Sequence, residues 1–294
     1  MYYKAPVLLF TYRKPQFLEE IFQAIKQYSP PRLYIASNLH ACEEERAVVE
    51  SIRRTIRKWE LPGEILLLCQ DKHLLINESI HSGLDHVFSI EEAAIILEDD
   101  TVPSASFFSF CNTMLGHHWN SPEIGSIVGC NLGAIDDDQA AYQVPFAIFY
   151  WGWATWAKTW QALRDTPLPF GQHDNGVVDK LQDPNSILIP FLQRLDDRCT
   201  WDVRWGWQQT LHGLHTVLPG KNMVTNKGFV LEGSYIRFTD SALNSLPCND
   251  MNTEALKRVM HAEHSACYEQ RTAAMLTEIL LSRSELDYYA SLAN

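Results

Sequence analysis

The first third of the chain shows short apolar runs separated by stretches with a helical pattern. Four of these runs predict strands buried on both faces, namely Val7–Phe10, Leu33–Ala36, Ile65–Leu68 and Ala94–Leu97. Between them we predict a helix that Pro15 opens and Pro30-Pro31 ends, a charged helix over about 42–58 and a third helix over about 77–88. This order predicts an α/β fold with a mostly parallel sheet flanked by helices, in which ligands bind beyond the carboxyl ends of the strands.

The pattern changes after about residue 130, where tryptophan, proline, glycine and polar residues become more frequent. We expect loops and short helices there, with helices near 156–164 and 202–213. The tail over about 251–290 predicts one or two helices, which leaves a homodimer through the tail open.

Composition narrows the class of protein. The 294 residues are 46% hydrophobic and carry a formal net charge of -12. A uniformly acidic protein repels nucleic acid and anionic membranes, so neither is an expected partner. Apolar Met1–Phe10 is short and is followed at once by charged residues, so we expect neither a signal peptide nor a transmembrane segment. The seven cysteines include no CxxC pair, which favours a reducing, cytoplasmic location.

Three consecutive acids, Glu98-Asp99-Asp100, follow directly on the fourth predicted strand. Adjacent carboxylates at the end of a buried strand are costly unless a cation neutralises them. Carboxylate oxygens suit Mg²⁺ or Mn²⁺, with water and a diphosphate completing the coordination. The alternative is a polar turn closed by Pro103, but a helix begun near Ser104 and carrying Phe107-Phe108 favours a strand, acidic turn and helix around a ligand. A second acidic run, Asp136-Asp137-Asp138, is expected to be a solvated loop.

These residues resemble a motif of GT-A-fold glycosyltransferases similar to N-acetylglucosaminyltransferase I, and more closely of bacterial nucleotide-diphospho-sugar transferases. Further segments extend the resemblance in family order over about residues 5–235, namely Tyr12-Arg13, Trp151–Trp156, Trp201-Asp202 and Asn226–Phe229. The resemblance implies a GT-A-like, Rossmann-like fold and a metal-dependent, inverting transfer of sugar from a nucleotide-sugar donor, with a UDP-sugar favoured. The acceptor would be a hydroxyl of a glycan or glycoconjugate, which could be carried at the inner face of a membrane.

The same resemblance divides the chain. It implies a nucleotide-sugar-binding half over residues 1–130 and an acceptor-side and catalytic half over 131–245, and it does not extend to the C-terminal tail over 246–294, which the sequence pattern predicts to be helical. A loop over 232–240 corresponds to a segment that closes over the donor in the family, but it lacks the histidine often found there, so its role as a lid is left open.

Roles for the acids also follow from the resemblance. Asp100 would bind Mn²⁺ or Mg²⁺ directly, Asp99 would contact the donor ribose or a metal-bound water, and Glu98 would hydrogen-bond the transferred sugar. Asp202 is the candidate general base, since inverting transfer needs a carboxylate to take the acceptor proton. A helix N-cap is the alternative for Asp202, and both roles can hold at once. Other candidates for the base are Asp196, Asp197 and Glu232.

Donor-binding candidates follow the predicted strands. Arg13 can fork onto phosphate oxygens, and Thr11 lies beside it at the end of the first strand. Asn38 stands where the family usually has an aspartate that reads uracil, and an amide can both donate and accept hydrogen bonds. Asn77 and Ser79 are candidates for base or ribose contacts, or are plain helix caps.

An aromatic cluster includes Tyr150, Trp151, Trp153, Trp156 and Trp160. Indole faces match the apolar faces of sugars, so we expect Trp151 and Gly152 to line the donor or acceptor pocket. Helical spacing of Trp153, Trp156 and Trp160 is more typical of a core. Surface positions are expected for His212, His215, His261 and His264.

Two other functions compete with glycosyl transfer. One is a sugar-phosphate nucleotidyltransferase, although the segment Thr11–Pro15 lacks the glycines of a phosphate loop. The other is a non-catalytic protein that binds carbohydrate or a partner through a tryptophan-rich surface and needs no metal.

Overall fold

The structure, a computed structural model, describes residues 4–132, 140–147, 149–168, 200–228, 246–251, 258–261, 270 and 272. Its strands are β1 (Val7–Thr11), β2 (Arg32–Ser37), β3 (Glu64–Cys69), β4 (Ala93–Glu98), β5 (Thr101–Pro103), β6 (Ile124–Val128), β7 (Ala140–Val144), β8 (Trp153–Trp156), β9 (His215–Pro219), β10 (Val224–Asn226) and β11 (Arg258–His261). Its helices are α1 (Leu18–Tyr28), α2 (Glu43–Ile56), α3 (Ile76–Phe88), α4 (Phe107–His117), α5 (Ala157–Leu163) and α6 (Trp201–Leu211).

Nine of these strands form one sheet in the order β11-β7-β9-β6-β8-β4-β1-β2-β3. β1 pairs in parallel with β2 on one side and with β4 on the other, so Val7 lies between Leu33 and Ile95. From β1 the chain steps outward to β2 and β3 and then returns to the opposite side as β4. This reversal is a topological switch point, and sheets of this kind bind their ligands at the carboxyl edge beside it.

The first half folds as the sequence predicts. Every residue of β1 is buried, and α1 buries the predicted stripe of Leu18, Ile21, Phe22 and Ile25. Burying one such side chain contributes about 1.5–3 kcal/mol. The prediction of an α/β fold with a large, mostly parallel sheet flanked by helices is confirmed.

The second half contains both helices predicted there, as α5 and α6, but it also contains strands that we did not predict. The strands β7, β8 and β9 extend the main sheet, and β8 lies between β6 and β4 as an antiparallel member. Trp153 and Trp156 belong to β8, so their helical spacing with Trp160 was a coincidence. Both indoles are buried because a strand inside the sheet has both faces covered.

The sequence analysis also missed β5, β10 and β11. The acidic turn is followed by β5, which pairs with β10 before α4 begins at Phe107. The tail, predicted to be helical, contains β11 at Arg258–His261, which pairs in parallel with β7. His261 therefore lies in a strand. No helix of the described residues is long and apolar enough to cross a membrane.

Candidate active site

The acidic turn lies at the switch point, next to the carboxyl end of β1. Glu98 is the last residue of β4 and pairs with Phe10 of β1. The Thr101 hydroxyl closes the turn, since it donates to the Glu98 carbonyl and accepts from the Glu98 N–H, both at 2.9 Å. Main-chain bonds thus fix the position of Asp99 and Asp100 at the edge where this fold class binds ligands.

Asp99 holds the loop that follows β1. Its Oδ2 accepts hydrogen bonds from the backbone N–H groups of Tyr12, at 2.7 Å, and Lys14, at 3.3 Å. Burial raises the pKa of Asp99 to about 6, with the Asp100 carboxylate adding to the shift and Lys14 opposing it. The side chain therefore joins the two loops of the switch point.

Asp100 has a different partner. Its Oδ2 forms an ion pair with the ammonium group of Lys14, and both side chains are largely buried. Burial alone would lower the pKa of Lys14, but Asp100 and Asp99 outweigh burial and raise it. A lysine cation is thus built into the acidic turn.

The segment after β10 forms the opposite wall of the turn. The Lys227 N–H donates to the Asp100 carbonyl at 2.8 Å, and the Lys227 ammonium reaches Glu20 at 2.6 Å. Gly228 packs so closely that a Cβ there would overlap Asp100 Oδ2 and lie 2.6 Å from Lys14 Nζ. The ion pair of Lys14 and Asp100 therefore sits in a slot that only glycine leaves open.

Asp202 approaches the turn from α6. It lies in the first turn of this helix, whose N-cap is Thr200, so the N-cap interpretation of Asp202 is wrong. Its Oδ1 accepts from the Thr200 hydroxyl and from the Val203 N–H at 3.0 Å. Burial raises the pKa of Asp202 despite these bonds.

The pKa of Glu98 is affected by two other acids, Asp100 and Asp202. Burial raises the pKa of Glu98 well above its usual value, and the negative charges of Asp100 and Asp202 raise it further. Asp202 is thus close enough to Glu98 to act on it electrostatically, although about one hundred residues separate them in the chain. The structure thus places Asp202 near Glu98, while their roles as general base and donor contact stay predictions.

Arg13 and Tyr12 are held against α2. Arg13 forms an ion pair with Glu45, which also accepts a hydrogen bond from the Tyr12 hydroxyl. The Tyr12 ring lies 5.5 Å from the ring of His73, between centroids. The guanidinium that was predicted to bind phosphate therefore has a carboxylate partner in this structure.

Asn38 holds the loop before α3. Its amide nitrogen donates to the Leu74 carbonyl at 2.8 Å, and its Oδ1 accepts from the N–H groups of Leu39 and Leu74. Thr11 lies nearby as the last residue of β1, and its carbonyl accepts from the Asn38 N–H at 3.1 Å. Both residues occupy the ends of strands beside the switch point, and the amide of Asn38 orders the backbone there.

Asn77 and Ser79 lie in the first turn of α3, but neither caps it. The N-cap residue is Leu75, whose N–H donates to Glu78 Oε2 at 3.0 Å. Ser79 is buried, and its N–H donates to the Leu75 carbonyl at 2.8 Å. The cap interpretation of these two residues is therefore wrong, while a ribose or base contact stays a prediction.

Trp151 and Gly152 are packed inside the protein. Trp151 is 5% exposed, and Gly152 adopts φ +56°, a conformation that favours glycine. The close approach that Gly152 permits is to Phe107 and Val224. A role for these residues in a sugar pocket stays a prediction.

The remaining tryptophans of the cluster form a core. Trp153 contacts Trp201 and Trp205 at ring-centroid distances of 5.4 and 5.9 Å, and Trp160 contacts Trp205 at 5.3 Å. These indoles are all less than a tenth exposed. The tryptophan-rich surface that a non-catalytic binding protein would need is absent from the described ranges.

The acids of the turn do not form a complete metal cage by themselves. Within the described parts of the chain, no group of three or more His, Cys, Asp or Glu side chains is arranged to hold a metal ion. Mg²⁺ is commonly bound by only one or two carboxylates, with phosphates and water as the other ligands. Burial and then the neighbouring negative charges raise the pKa of Glu98, so a cation beside the acids would stabilise their ionised forms. The oxygens of the turn are of the kind that Mg²⁺ or Mn²⁺ takes as ligands, and the binding of a metal there stays a prediction.

Several predicted residues fall outside the described part of the chain. They are Asp136–Asp138, Asp196, Asp197, Glu232, His264 and the loop over 232–240. Conversely, sequence reasoning gave no role to Lys14. The sequence did contain a signal for this role. Lys14 is a cation three residues after β1, and β1 pairs with β4, the strand that leads into the acidic turn.

Comparison with known proteins adds little about activity. No protein-family model matches the chain, and no curated protein matches it. Solved structures with some likeness include HddC from Yersinia pseudotuberculosis (9% identity, TM-score 0.35, 56% of this chain and 80% of that one). Others are a cytidylyltransferase from Leptospira borgpetersenii serovar Hardjo-bovis (11%, 0.34, 57% and 67%) and mannose-1-phosphate geranyltransferase from Thermus thermophilus (12%, 0.41, 74% and 74%). At such low similarity these structures assign no activity to this chain.

Proposed function

We propose that this chain is a metal-dependent glycosyltransferase that uses a nucleotide-diphosphate-sugar donor, with a UDP-sugar favoured. The observation that supports the proposal is that Asp202, on α6, lies close enough to Glu98 to raise its pKa, and that Glu98 begins the acidic turn at the switch point of the sheet. The proposal joins that placement to the resemblance of the acidic turn to the GT-A motif.

Asp100 would hold the metal, Mn²⁺ or Mg²⁺, with Asp99 close by. A bound divalent cation would offset the charge that develops on the departing nucleoside diphosphate. Asp99 keeps the loop after β1 in place through Tyr12 and Lys14, so the cradle for the diphosphate is ordered before the donor binds. Glu98 would hydrogen-bond the transferred sugar.

Asp202 would act as the general base. The acceptor oxygen attacks the anomeric carbon, its proton passes to the Asp202 carboxylate, and the bond between that carbon and the diphosphate oxygen breaks. Burial favours proton uptake by raising the pKa of Asp202. Attack opposite to the leaving group inverts the anomeric centre.

A sugar-phosphate nucleotidyltransferase is the second candidate, since Lys14 beside an acidic turn suits any reaction at phosphate. In that reaction the nucleophile is a phosphate oxygen that is already an anion and needs no base. The placement of Asp202 beside Glu98 therefore favours glycosyl transfer.

The test is calorimetry of UDP binding with and without Mn²⁺, in the wild type and in Asp100→Asn. We expect Mn²⁺ to tighten UDP binding at least about tenfold in the wild type, which is about 1.4 kcal/mol, and to have little effect in Asp100→Asn. Asp165→Asn, which alters an acid whose side chain is 81% exposed, is the matched control and should behave as wild type. Equal affinity with and without metal in the wild type would remove the basis of the proposal.

A further inference from the structure

Lys14 occupies one carboxylate oxygen of Asp100, the acid to which the proposed function assigns the metal. The ammonium group lies on Asp100 Oδ2 in the slot left by Gly228, where the two side chains are 24% and 12% exposed. The neighbouring cations are directed elsewhere, since Lys227 pairs with Glu20 and Arg13 pairs with Glu45. The turn therefore has its own counter-ion.

A lysine and a divalent cation repel each other and cannot share one carboxylate oxygen. If metal alone arrived, the largely buried Lys14 ammonium would have to give up its ion pair with Asp100 while a second cation binds beside it, which costs free energy. If metal and a diphosphate arrive together, the long, flexible lysine stem lets the ammonium move to a phosphate oxygen. The cost of breaking the ion pair is then offset.

We propose that Lys14 is an internal counter-ion of Asp100 that suppresses binding of metal alone and thereby couples metal binding to donor binding. This inference rests on the proposed function, because it assumes that Asp100 is the metal ligand. Such coupling is reciprocal, so the diphosphate also binds poorly until metal is present.

The experiment measures the affinity for Mn²⁺ alone by the electron paramagnetic resonance signal of free Mn²⁺, and repeats it with UDP. We expect Lys14→Gln to bind Mn²⁺ alone at least about tenfold more tightly than the wild type, because the carboxylate is no longer occupied. UDP should then improve Mn²⁺ affinity less in Lys14→Gln than in the wild type, since the phosphate no longer receives the ammonium.

Two variants serve as controls. Lys14→Arg keeps a cation beside Asp100 and should keep the weak binding of Mn²⁺ alone. Lys227→Gln removes a nearby positive charge that lies on Glu20 and keeps the backbone N–H, so it controls for general electrostatics and should resemble the wild type.

The outcomes separate this inference from the proposed function. If Mn²⁺ affinity without UDP is the same in Lys14→Gln and the wild type, while UDP still tightens Mn²⁺ binding in both, the role of Lys14 is overturned and the metal-dependent function stands. If UDP and Mn²⁺ fail to affect each other in every variant, the proposed function fails and the inference fails with it.

Discussion

Asp99 and Asp100 are adjacent acids with different partners, and this difference shapes the candidate site. Asp99 accepts two backbone hydrogen bonds from the loop after β1, whereas Asp100 meets the end of a flexible lysine side chain. A buried N–H group that loses its acceptor costs about 1–3 kcal/mol, whereas the long lysine stem lets the ammonium move to another anion that binds beside it. We therefore assign Asp99 mainly to the order of the loop and Asp100 to exchangeable ligands.

The stability of Asp99 variants tests that assignment. Asp99→Ala leaves the N–H groups of Tyr12 and Lys14 without their acceptor, so the free energy of unfolding should fall by about 1–3 kcal/mol. Asp99→Asn keeps an oxygen acceptor and should stay within about 0.5 kcal/mol of the wild type. Urea unfolding at neutral pH measures both. A loss in Asp99→Asn as large as that in Asp99→Ala would show that the loop depends on the charge instead of the hydrogen bonds.

At the scale of elements, long-range contacts brace the region behind the acidic turn. β5 pairs with β10, and residues 246–251 lie against the start of α4. Asp250 Oδ1 accepts from the N–H of Ser106 at 2.9 Å and from its hydroxyl at 3.0 Å, and the Met251 N–H donates to that hydroxyl at 2.8 Å. A residue far along the chain thus supplies the acceptor at the N-terminus of α4.

Removing the Asp250 carboxylate should weaken the contact between residues 246–251 and the start of α4. Asp250→Ala should lower the free energy of unfolding at pH 7 by about 0.5–2 kcal/mol, as for the loss of a helix cap. The Ser106 N–H lowers the pKa of Asp250, so its contribution is present above the usual pKa and is lost as the pH falls through the lowered value. Urea unfolding between pH 7 and pH 3 should therefore show the difference from wild type shrinking in acid, whereas a constant difference would exclude the carboxylate as its source.

The elements that sequence could predict are those whose signal is local. β1 to β4 arise from apolar runs, and α1 to α3 arise from amphipathic stripes. Both patterns can be recognised in the sequence without knowledge of the fold. β5 and β10 have three residues each and exist because they pair with one another, while β11 exists because it pairs with β7. Pairing between strands that are distant in the sequence leaves no pattern in any short segment, so these strands were not predicted.

The same limit applies to the site. The acidic turn was predictable because its residues are consecutive and follow a strand, and Asp202 was predictable only through resemblance. The ion pair of Lys14 with Asp100 depends on the parallel pairing of β1 with β4. The sequence predicted a mostly parallel sheet but not which strands are neighbours in it.

For the whole molecule, the topology of the sheet explains why chemistry would concentrate at one edge. The return of the chain to β4 beside β1 places the acidic turn beside Lys14 of the neighbouring loop, at the edge where sheets of this kind bind ligands. α6 then supplies Asp202 from the second half of the sequence. The two halves of the chain share one sheet, so the predicted donor and acceptor sides meet within one structural unit.

The most direct test of glycosyl transfer is to identify the products formed from a panel of nucleotide-sugars with Mn²⁺, by chromatography and mass spectrometry. We predict release of a nucleoside diphosphate from at least one donor, loss of release on chelation of the metal, and a fall of about a hundredfold or more in Asp202→Asn with UDP binding nearly unchanged. Formation of a nucleoside triphosphate and a sugar 1-phosphate when pyrophosphate is supplied, without release of the diphosphate, would contradict the account and identify a nucleotidyltransferase.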